Sequence, residues 1–330
     1  MCFPFFVSNI DCNLWYSFKY IEMPKINVRR TIIVNKPIEV VFKEVNNFNN
    51  WKDWSPWLRL EAEADVIIEP HGKQYKWNGQ IIGSGEMIIE KEVENVSVHC
   101  DLTFLTPFKS KAKTNIYFNK VEEGTEVSWT MDSSLPFFMF WMKNSMENFI
   151  GMDYDRGLKM LKDKAEKGVV PSHLEINGSV NFEGGKYVAI KRECKMNQMF
   201  EKMPSDFSKL MPKAHQEWKG LMNGNPFSIY HKWDLKNKTV SYSACFPVSE
   251  YPKDLPSEFS TGVYPSSKMY KVTHTGAMDH ISNAWSAQMM RMRNKVFKGN
   301  KRVHPIEVYL NSPMDTPTDE LKAEILFGMK

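Results

Sequence analysis

The chain has 330 residues, more than one hydrophobic core usually holds, so its length predicts two domains. Its 43 basic and 39 acidic residues give a net charge of +4 and are spread along the whole sequence. That balance argues against nucleic-acid-binding and membrane-surface proteins, in which Lys and Arg cluster. A hydrophobic fraction of 42% and a charged fraction of 25% are typical of a soluble globular protein.

The cysteines and the motif content point to a reduced, cytoplasmic protein. There are five cysteines, without a CxxC pair and without a cluster of histidines, at positions Cys2, Cys12, Cys100, Cys194 and Cys245. An odd number at such spacings predicts free thiols and no zinc site. The sequence has no phosphate-cradling glycine loop and no metal-ligand spacing, so we expect neither a metal nor a cofactor.

The first 25 residues are predicted to be an N-terminal extension. They are rich in aromatic residues, but polar residues such as Asn9 and Asp11 interrupt every apolar run. The segment is therefore neither a membrane span of about 20 apolar residues nor a signal peptide. Because Met23 immediately precedes the first clear strand, our hypothesis is that Met23 is the natural start and that residues 1–22 are either untranslated, and so not native, or poorly ordered.

Residues 26–167 are predicted to form the first domain. Alternating apolar residues indicate a strand over 26–34, and Pro37 then suits the first turn of a helix. Three tryptophans close together, Trp51, Trp54 and Trp57, indicate a packed corner rather than a solvated loop. Strands separated by turns follow from about 64 to 129 and predict an antiparallel meander.

A long amphipathic helix closes this domain. Apolar residues recur at three and four positions between 140 and 167, and Gly168 is placed to end the helix. A curved antiparallel sheet with a long C-terminal helix lying across it is a helix-grip arrangement of the α+β class.

The opening of this domain resembles the START-like, polyketide cyclase/dehydrase-type SRPBCC domains. The resemblance rests on the stretch from Asn35 to Phe42, on the stretch from Asn46 to Trp51, and on Trp54-Ser55-Pro56-Trp57. It implies a deep apolar cavity between the sheet and the long helix. Members range from cyclases to lipid binders, so the resemblance names no substrate and no catalytic residue.

Residues 168–185 are predicted to be a linker, because their glycines, Pro171 and Ser172 suit a surface connection. The second domain, 186–330, repeats itself. Three pairs of stretches resemble one another in the same order and at a nearly constant offset, and they begin at Lys186 and Lys268, at Pro226 and Pro305, and at Ala244 and Ile325. The sequence therefore predicts a duplicated β-α-β-β unit.

The helices of the two units differ in regularity. In the second unit, apolar spacing predicts one helix over about 277–297. In the first unit, Pro204 and Pro212 interrupt the pattern, so we expect a short helix and then a second helix capped near Ser205.

The duplicated region resembles the GyrI-like, or AraC-type effector-binding, domain. The resemblance rests on His274-Thr275-Gly276, on Trp285, on the stretch from Pro305 to Asn311 and on the stretch from Thr316 to Ile325. Members bind apolar, often cationic, molecules in a groove between the two units. The glutamate of the Ile-Glu-Val-Tyr strand faces that groove and corresponds here to Glu307, whereas the first unit has Ser228 at the equivalent position.

The resemblance makes Glu307 the candidate anchor of a ligand site, and its alternative interpretation is a solvated strand residue. Aromatic rings can stack on flat ligands and attract cations, so the walls are expected among the aromatic residues of the same domain. The candidate ligand-binding residues are Glu307, Tyr309, Trp285, Tyr270, Tyr230, Trp233, Tyr242 and Glu324. His274 can be interpreted as a general base or, more simply, as a turn residue.

Three functions are compatible with this sequence. The first is cytoplasmic binding of small apolar or cationic molecules, for sensing, sequestration or detoxification. The second is a hydrolase or cyclase acting on a reactive hydrophobic compound, with Glu307 as general base, and the third is an adaptor without a ligand. No basic recognition helix is evident, so we expect neither a nucleic-acid partner nor a membrane partner. The sequence leaves the oligomeric state open.

Overall fold

A computed structural model describes residues 24–330, with Phe137 described by its backbone alone. The hypothesis on the natural start therefore concerns residues outside the described part. The described chain forms two sheets, which we call the seven-stranded unit and the eight-stranded unit.

The seven-stranded unit is an antiparallel sheet in the order β1-β7-β6-β5-β4-β3-β2. Two short helices, α1 (Ile38–Val45) and α2 (Phe48–Trp54), follow the first strand. The strands are β1 (Lys25–Val34), β2 (Asp65–Ile68), β3 (Gln74–Asn78), β4 (Ser84–Val93), β5 (Ser97–Thr106), β6 (Ser110–Val121) and β7 (Gly124–Ser134).

The helix α3 (Lys143–Lys167) packs on this sheet and completes the predicted helix-grip arrangement, which is thereby confirmed. It begins slightly later than the sequence predicts, because Phe137–Met142 forms a 3-10 turn. It ends as predicted at Gly168, whose φ of 77° lies in the left-handed region that glycine adopts without strain.

The core of this unit is built from the predicted tryptophan corner. Trp51 and Trp54 are fully buried and contact Trp129 of β7 with ring centroids 5.7 Å apart. Trp129 in turn stacks on Tyr154 of α3 at 4.1 Å and 11°. These large rings lock α2, the sheet and α3 together, so the prediction of a packed corner is confirmed.

The eight-stranded unit is an antiparallel sheet in the order β12-β9-β11-β10-β14-β15-β13-β8. Its helices are α4 (Met199–Pro212) and α5 (Ser282–Arg293). Its strands are β8 (Ser172–Phe182), β9 (Gly185–Lys195), β10 (Phe227–Asp234), β11 (Thr239–Pro247), β12 (Ser260–Tyr264), β13 (Ser267–Gly276), β14 (Ile306–Tyr309) and β15 (Lys322–Gly328).

The six central strands show the predicted duplication. The first unit is β9-α4-β10-β11 and the second is β13-α5-β14-β15. In the sheet order β9-β11-β10-β14-β15-β13, each strand of the first unit and its equivalent in the second lie at the same distance from the centre. The two units meet where β10 pairs with β14, and there Ser228 lies directly opposite Glu307. The two residues that the repeat makes equivalent are therefore neighbours across the pseudo-twofold axis.

Two sequence predictions in this unit are corrected by the structure. Residues 172–182, predicted to belong to a linker, form β8, which pairs with β13 along its whole length. The predicted break at Pro204 is absent, because α4 runs continuously through it. Pro204 is the sixth of the fourteen residues of α4 and removes one backbone hydrogen bond, but its ring is exposed, and the buried Met203, Asp206 and Leu210 hold the helix in place. Pro212 ends the helix before a π turn.

The helix α5 lies between the two units. Asn283 accepts a hydrogen bond from Arg156 of α3 at 2.9 Å, and Arg291 donates one to the carbonyl of Leu60 at 3.0 Å. Both arginines are buried. The helix is shorter than predicted, since it ends at Arg293 and Lys295 adopts a positive φ of 61°.

A candidate ligand-binding groove between two helices

The strand β14 directs Glu307 toward the side of the sheet that α4 and α5 cover. Directly opposite residues of an antiparallel pair share a face, and Glu307 lies opposite Ser228 on one side and Ile325 on the other. Its neighbours Ile306 and Val308 belong to a separate apolar cluster on the opposite face. The alternation read from the sequence thus separates the carboxylate from the apolar residues beside it.

The Glu307 side chain is buried, with 4% of its surface exposed. Its Oε2 atom accepts hydrogen bonds from the indole N–H of Trp285 at 2.8 Å and from the hydroxyl of Tyr230 at 3.3 Å. Desolvation raises the pKa of this carboxyl, and hydrogen bonding to Trp285, Tyr309 and Tyr230 opposes part of that rise. Among the described residues, no Lys, Arg or His forms an ion pair with it.

Two tyrosines flank the carboxylate in a symmetric way. Tyr230 and Tyr309 are related by the same sequence offset as Ser228 and Glu307. The Tyr309 hydroxyl lies 3.0 Å from Ser228 Oγ and 3.3 Å from the sulfur of Met203. Burial raises the pKa of both phenols, so both stay protonated and can donate hydrogen bonds.

Aromatic rings form the walls around these polar atoms. Trp233 stacks on Tyr230 at 5.4 Å and 11°, and it is 40% exposed. Trp285 of α5 meets Tyr230 edge to face at 4.6 Å, and Phe207 of α4 meets Tyr309 in the same way at 5.3 Å. We name this cluster the Glu307 groove, after the groove that the family resemblance implies, and define it by the residues Met203, Phe207, Ser228, Tyr230, Trp233, Trp285, Glu307 and Tyr309.

The structure brings five of the eight predicted site residues together in this groove and leaves three outside it. Tyr242 donates a hydrogen bond to Asp206 at 2.8 Å under α4, and Tyr270 stacks on Phe297 at 4.5 Å beside α5. Glu324 lies opposite Val308, on the other face of the sheet, and pairs with Lys271 at 2.7 Å. Side chains alternate between the two faces along β15, so Glu324 points away from the groove while its neighbour Ile325 shares the face of Glu307.

His274 is neither a turn residue nor part of the groove. It is fully buried within β13, 3.3 Å from Ser172 Oγ, and burial lowers its pKa to about 4. Its imidazole is therefore neutral near pH 7, and its role is in the packing of β13 against β8.

The sequence reasoning missed Met203, Ser228 and Phe207 as groove residues. The repeat carried a signal for two of them. Met203 precedes Trp285 by the offset that separates Lys186 from Lys268, and Ser228 precedes Glu307 by the offset that separates Pro226 from Pro305. Met203 of α4 and Trp285 of α5 thus occupy equivalent positions of the two units. The helix–strand pair is Trp–Glu in the second unit and Met–Ser in the first.

The apolar cavity that the first resemblance implies is present but small. It lies between the sheet and α3, measures about 50 Å³, and is lined mainly by aromatic and aliphatic side chains, including Trp77, Trp129 and Tyr154. Small-molecule sites usually measure about 300–1,000 Å³. The tryptophans fill most of the space that a larger ligand would need.

Two further features bear on the possible chemistry. Within residues 24–330, no group of three or more His, Cys, Asp or Glu side chains is arranged to hold a metal ion. No helix in the same part of the chain is long and apolar enough to cross a membrane.

The chain matches two protein families, one over each unit. Residues 25–166 match the family described as polyketide cyclase / dehydrase and lipid transport. Residues 180–330 match the family described as GyrI-like small molecule binding domain. Among curated proteins, none matches this sequence.

Solved structures resemble parts of the chain at low sequence identity. Protein MLL2253 from Mesorhizobium loti is 10% identical, with a TM-score of 0.35 over 43% of this chain and 97% of its own. SA2116 from Staphylococcus aureus is 16% identical, with a TM-score of 0.36 over 45% and 98%. SAV2435, solved bound to tetraphenylphosphonium, is 14% identical, with a TM-score of 0.37 over 47% and 94%.

Proposed function

We propose that this chain, in which a polyketide cyclase / dehydrase and lipid transport domain precedes a GyrI-like small molecule binding domain, binds apolar aromatic cations in the Glu307 groove. One observation carries the proposal, namely a carboxylate that is 4% exposed and has no cationic partner among the described residues. A glutamate is rarely buried unless it is paired, because desolvation of its charge is costly. A cationic ligand would supply the balancing charge.

The surroundings of Glu307 support an aromatic ligand. Ring faces attract cations electrostatically. Tyr230 and Trp285 donate hydrogen bonds to the carboxylate, and Trp233, which is 40% exposed, packs against both of their rings. Met203 adds a flexible apolar side chain that can adapt to ligands of different outline. Charge would therefore orient the ligand, and apolar burial would supply most of its affinity.

The experiment that tests this function is calorimetric titration of the full chain with tetraphenylphosphonium, an aromatic cation without hydrogen-bond donors. Glu307→Gln keeps the shape of the side chain and removes its charge. We expect this variant to bind about tenfold to a hundredfold more weakly, because the attraction between two unit charges several ångströms apart in a partly buried site is about 2–3 kcal/mol. Neutral triphenylphosphine oxide should bind both proteins weakly and equally.

Glu324→Gln is the matched control, because Glu324 is on the adjacent strand but faces away from the groove. This variant should bind tetraphenylphosphonium as the unchanged protein does. Equal affinity of the Glu307→Gln variant and the unchanged protein would contradict the proposal, and so would an equal loss in both variants.

A hydrolase is the second candidate, and the raised pKa of Glu307 favours it, since a general base works best with a pKa near the working pH. In this mechanism the carboxylate would take a proton from water while the hydroxyls of Tyr230 and Tyr309 hold the substrate. Turnover of a panel of nitrophenyl esters and epoxides, lost in Glu307→Gln and kept in Glu324→Gln, would identify it. Binding without turnover would leave the chain as a binding protein.

The biological use that we propose is sequestration or detoxification of aromatic cations. This proposal rests on the charge and the ring content of the groove, and sensing would require a further partner that responds to the bound ligand.

A further inference from the structure

An exposed aromatic surface lies at one end of the seven-stranded unit, remote in sequence from the Glu307 groove. Phe108 is 76% exposed at the tip of the hairpin between β5 and β6. Phe140 and Trp141 are 67% and 70% exposed in the 3-10 turn that follows β7. Single exposed apolar residues are ordinary, but a group of large rings usually marks an interaction surface.

The sheet brings these two segments to the same end. β6 begins at Ser110 and β7 ends at Ser134, and the two strands pair with Ala112 opposite Ser133. The hydroxyl of Ser133 donates a hydrogen bond to the carbonyl of Lys111 at 3.0 Å. The hairpin tip and the 3-10 turn therefore leave the sheet side by side.

The two segments that carry the rings contain basic but no acidic residues. Residues 102–121 and 133–146 contain no Asp or Glu. Lys109 and Lys111 follow Phe108 in the hairpin, and both are exposed and form no ion pair within the described part of the chain. We define the aromatic tip by Phe108, Lys109, Lys111, Phe140 and Trp141.

We propose that the aromatic tip docks onto an anionic lipid bilayer surface. Aromatic rings partition into the interface between head groups and acyl chains, and lysines beside them are attracted to anionic head groups. Residues 105–111 are all exposed, so the hairpin projects and can enter the interface without any change in the sheet. Phe104, next to this tip, lines the cavity of the seven-stranded unit, so docking would bring the membrane close to that cavity.

Charge complementarity selects the bilayer over the alternatives. Self-association through this surface would place lysines of one copy against lysines of another, because the flanking segments contain no acidic residue. An anionic bilayer offers an apolar interior for the rings and negative charge for Lys109 and Lys111 at the same time. The balanced charge of the whole chain predicted no membrane partner, but it does not reveal the local excess of lysine at the aromatic tip.

Sedimentation of the full chain with vesicles of phosphatidylcholine containing one third phosphatidylglycerol tests the proposal. The unchanged protein should bind, and pure phosphatidylcholine or high salt should weaken the binding. The double variant Phe108→Ala/Trp141→Ala should partition about tenfold more weakly, because it loses two interfacial rings. The variant Lys109→Gln/Lys111→Gln should lose the dependence on phosphatidylglycerol.

The matched control removes equally exposed apolar side chains elsewhere. Ile67 and Val263 are 64% and 65% exposed on edge strands, and the variant Ile67→Ala/Val263→Ala should bind vesicles normally. Glu307→Gln should also bind them normally, so this proposal and the ligand proposal fail separately. Absence of binding, equal binding by the Phe108/Trp141 variant, or a dimer that this variant abolishes would overturn the proposal.

Discussion

Burial of the Glu307 carboxylate takes it out of water, and that desolvation raises its pKa above the ordinary value of 4.5. The folded state therefore holds this proton to a higher pH than the unfolded state does. As pH rises from the unfolded pKa through the folded pKa, the protein loses stability through this residue. An uncharged residue at position 307 would make the folded protein more stable. A ligand-binding role would explain why the chain has a glutamate there.

The first prediction follows from this sign. Below about pH 4.5 the side chain is protonated in both states, so Glu307→Gln and the unchanged protein should have nearly the same melting temperature. At higher pH the Gln variant should be increasingly the more stable of the two. Thermal melts from pH 4 to pH 8 measure the difference in melting temperature between the two proteins. If the Gln variant becomes less stable than the unchanged protein as pH rises, the proposed cost of the buried charge is contradicted.

At this scale the sequence predicted the residues that contact Glu307 better than those farther from it. The alternation of β14 and the family resemblance indicated Glu307, Tyr309 and Trp285. Tyr242 and Tyr270 share the helix-covered side of the sheet, but Asp206 and Phe297 engage them locally. Such partners come from distant segments, so a periodic pattern cannot assign them. Met203 could have been predicted only by applying the offset between the repeated strands to the helices, where it relates Met203 to Trp285.

At the scale of elements, α3 depends on a close approach to the sheet. Gly157 faces Trp129 and Pro56, and a Cβ atom at this position would lie 2.7 Å from Trp129 Cζ3. Trp129 is fully buried and stacked on Tyr154, so it cannot move aside easily. The absence of a side chain at Gly157 therefore sets how closely α3 approaches the sheet.

The second prediction compares two glycines of this helix. Gly157→Ala should destabilise the protein by about 1–2 kcal/mol, because the steric cost of overpacking exceeds the gain of about 1 kcal/mol in helix propensity. Gly151→Ala would meet only the flexible end of Arg30, so its stability should stay the same or rise. Urea unfolding monitored by circular dichroism measures both, and equal effects of the two substitutions would contradict the packing argument.

The repeat predicted the order of the central strands, and the exceptions have physical causes. β8 was missed because Gly178 and its polar neighbours suit a loop, yet pairing with β13 gives the segment its hydrogen bonds. The expected break in α4 was wrong, because Pro204 costs only one backbone hydrogen bond, its ring is exposed, and the buried Met203, Asp206 and Leu210 hold the helix in place. Tertiary contacts outweighed local preference in both cases.

At the scale of the whole molecule, α5 joins the two units. Its Asn283 is fully buried, accepts a hydrogen bond from Arg156 and donates one to Ser172 Oγ at 3.0 Å. The same helix supplies Trp285 to the Glu307 groove. One face of α5 thus borders the candidate ligand site while another bonds to the seven-stranded unit.

The third prediction tests this junction. Asn283→Ala removes an acceptor from buried Arg156 and should lower the free energy of unfolding by about 1–3 kcal/mol. We expect the unchanged protein to unfold in one urea transition and the variant in two, with the two units unfolding separately. Ser282→Ala, one position earlier on the same helix, should leave the transition unchanged. A single, unshifted transition in Asn283→Ala would contradict the junction.

The location of a bound cation tests the central claim most directly. Crystals soaked with tetraphenylarsonium, whose arsenic scatters anomalously, would show the position of the cation in an anomalous difference map without assumptions about its contacts. The account predicts a peak between α4 and α5, beside the Glu307 carboxylate and against Trp233 and Trp285. A peak only in the cavity of the seven-stranded unit, or only on the outer surface, would contradict it.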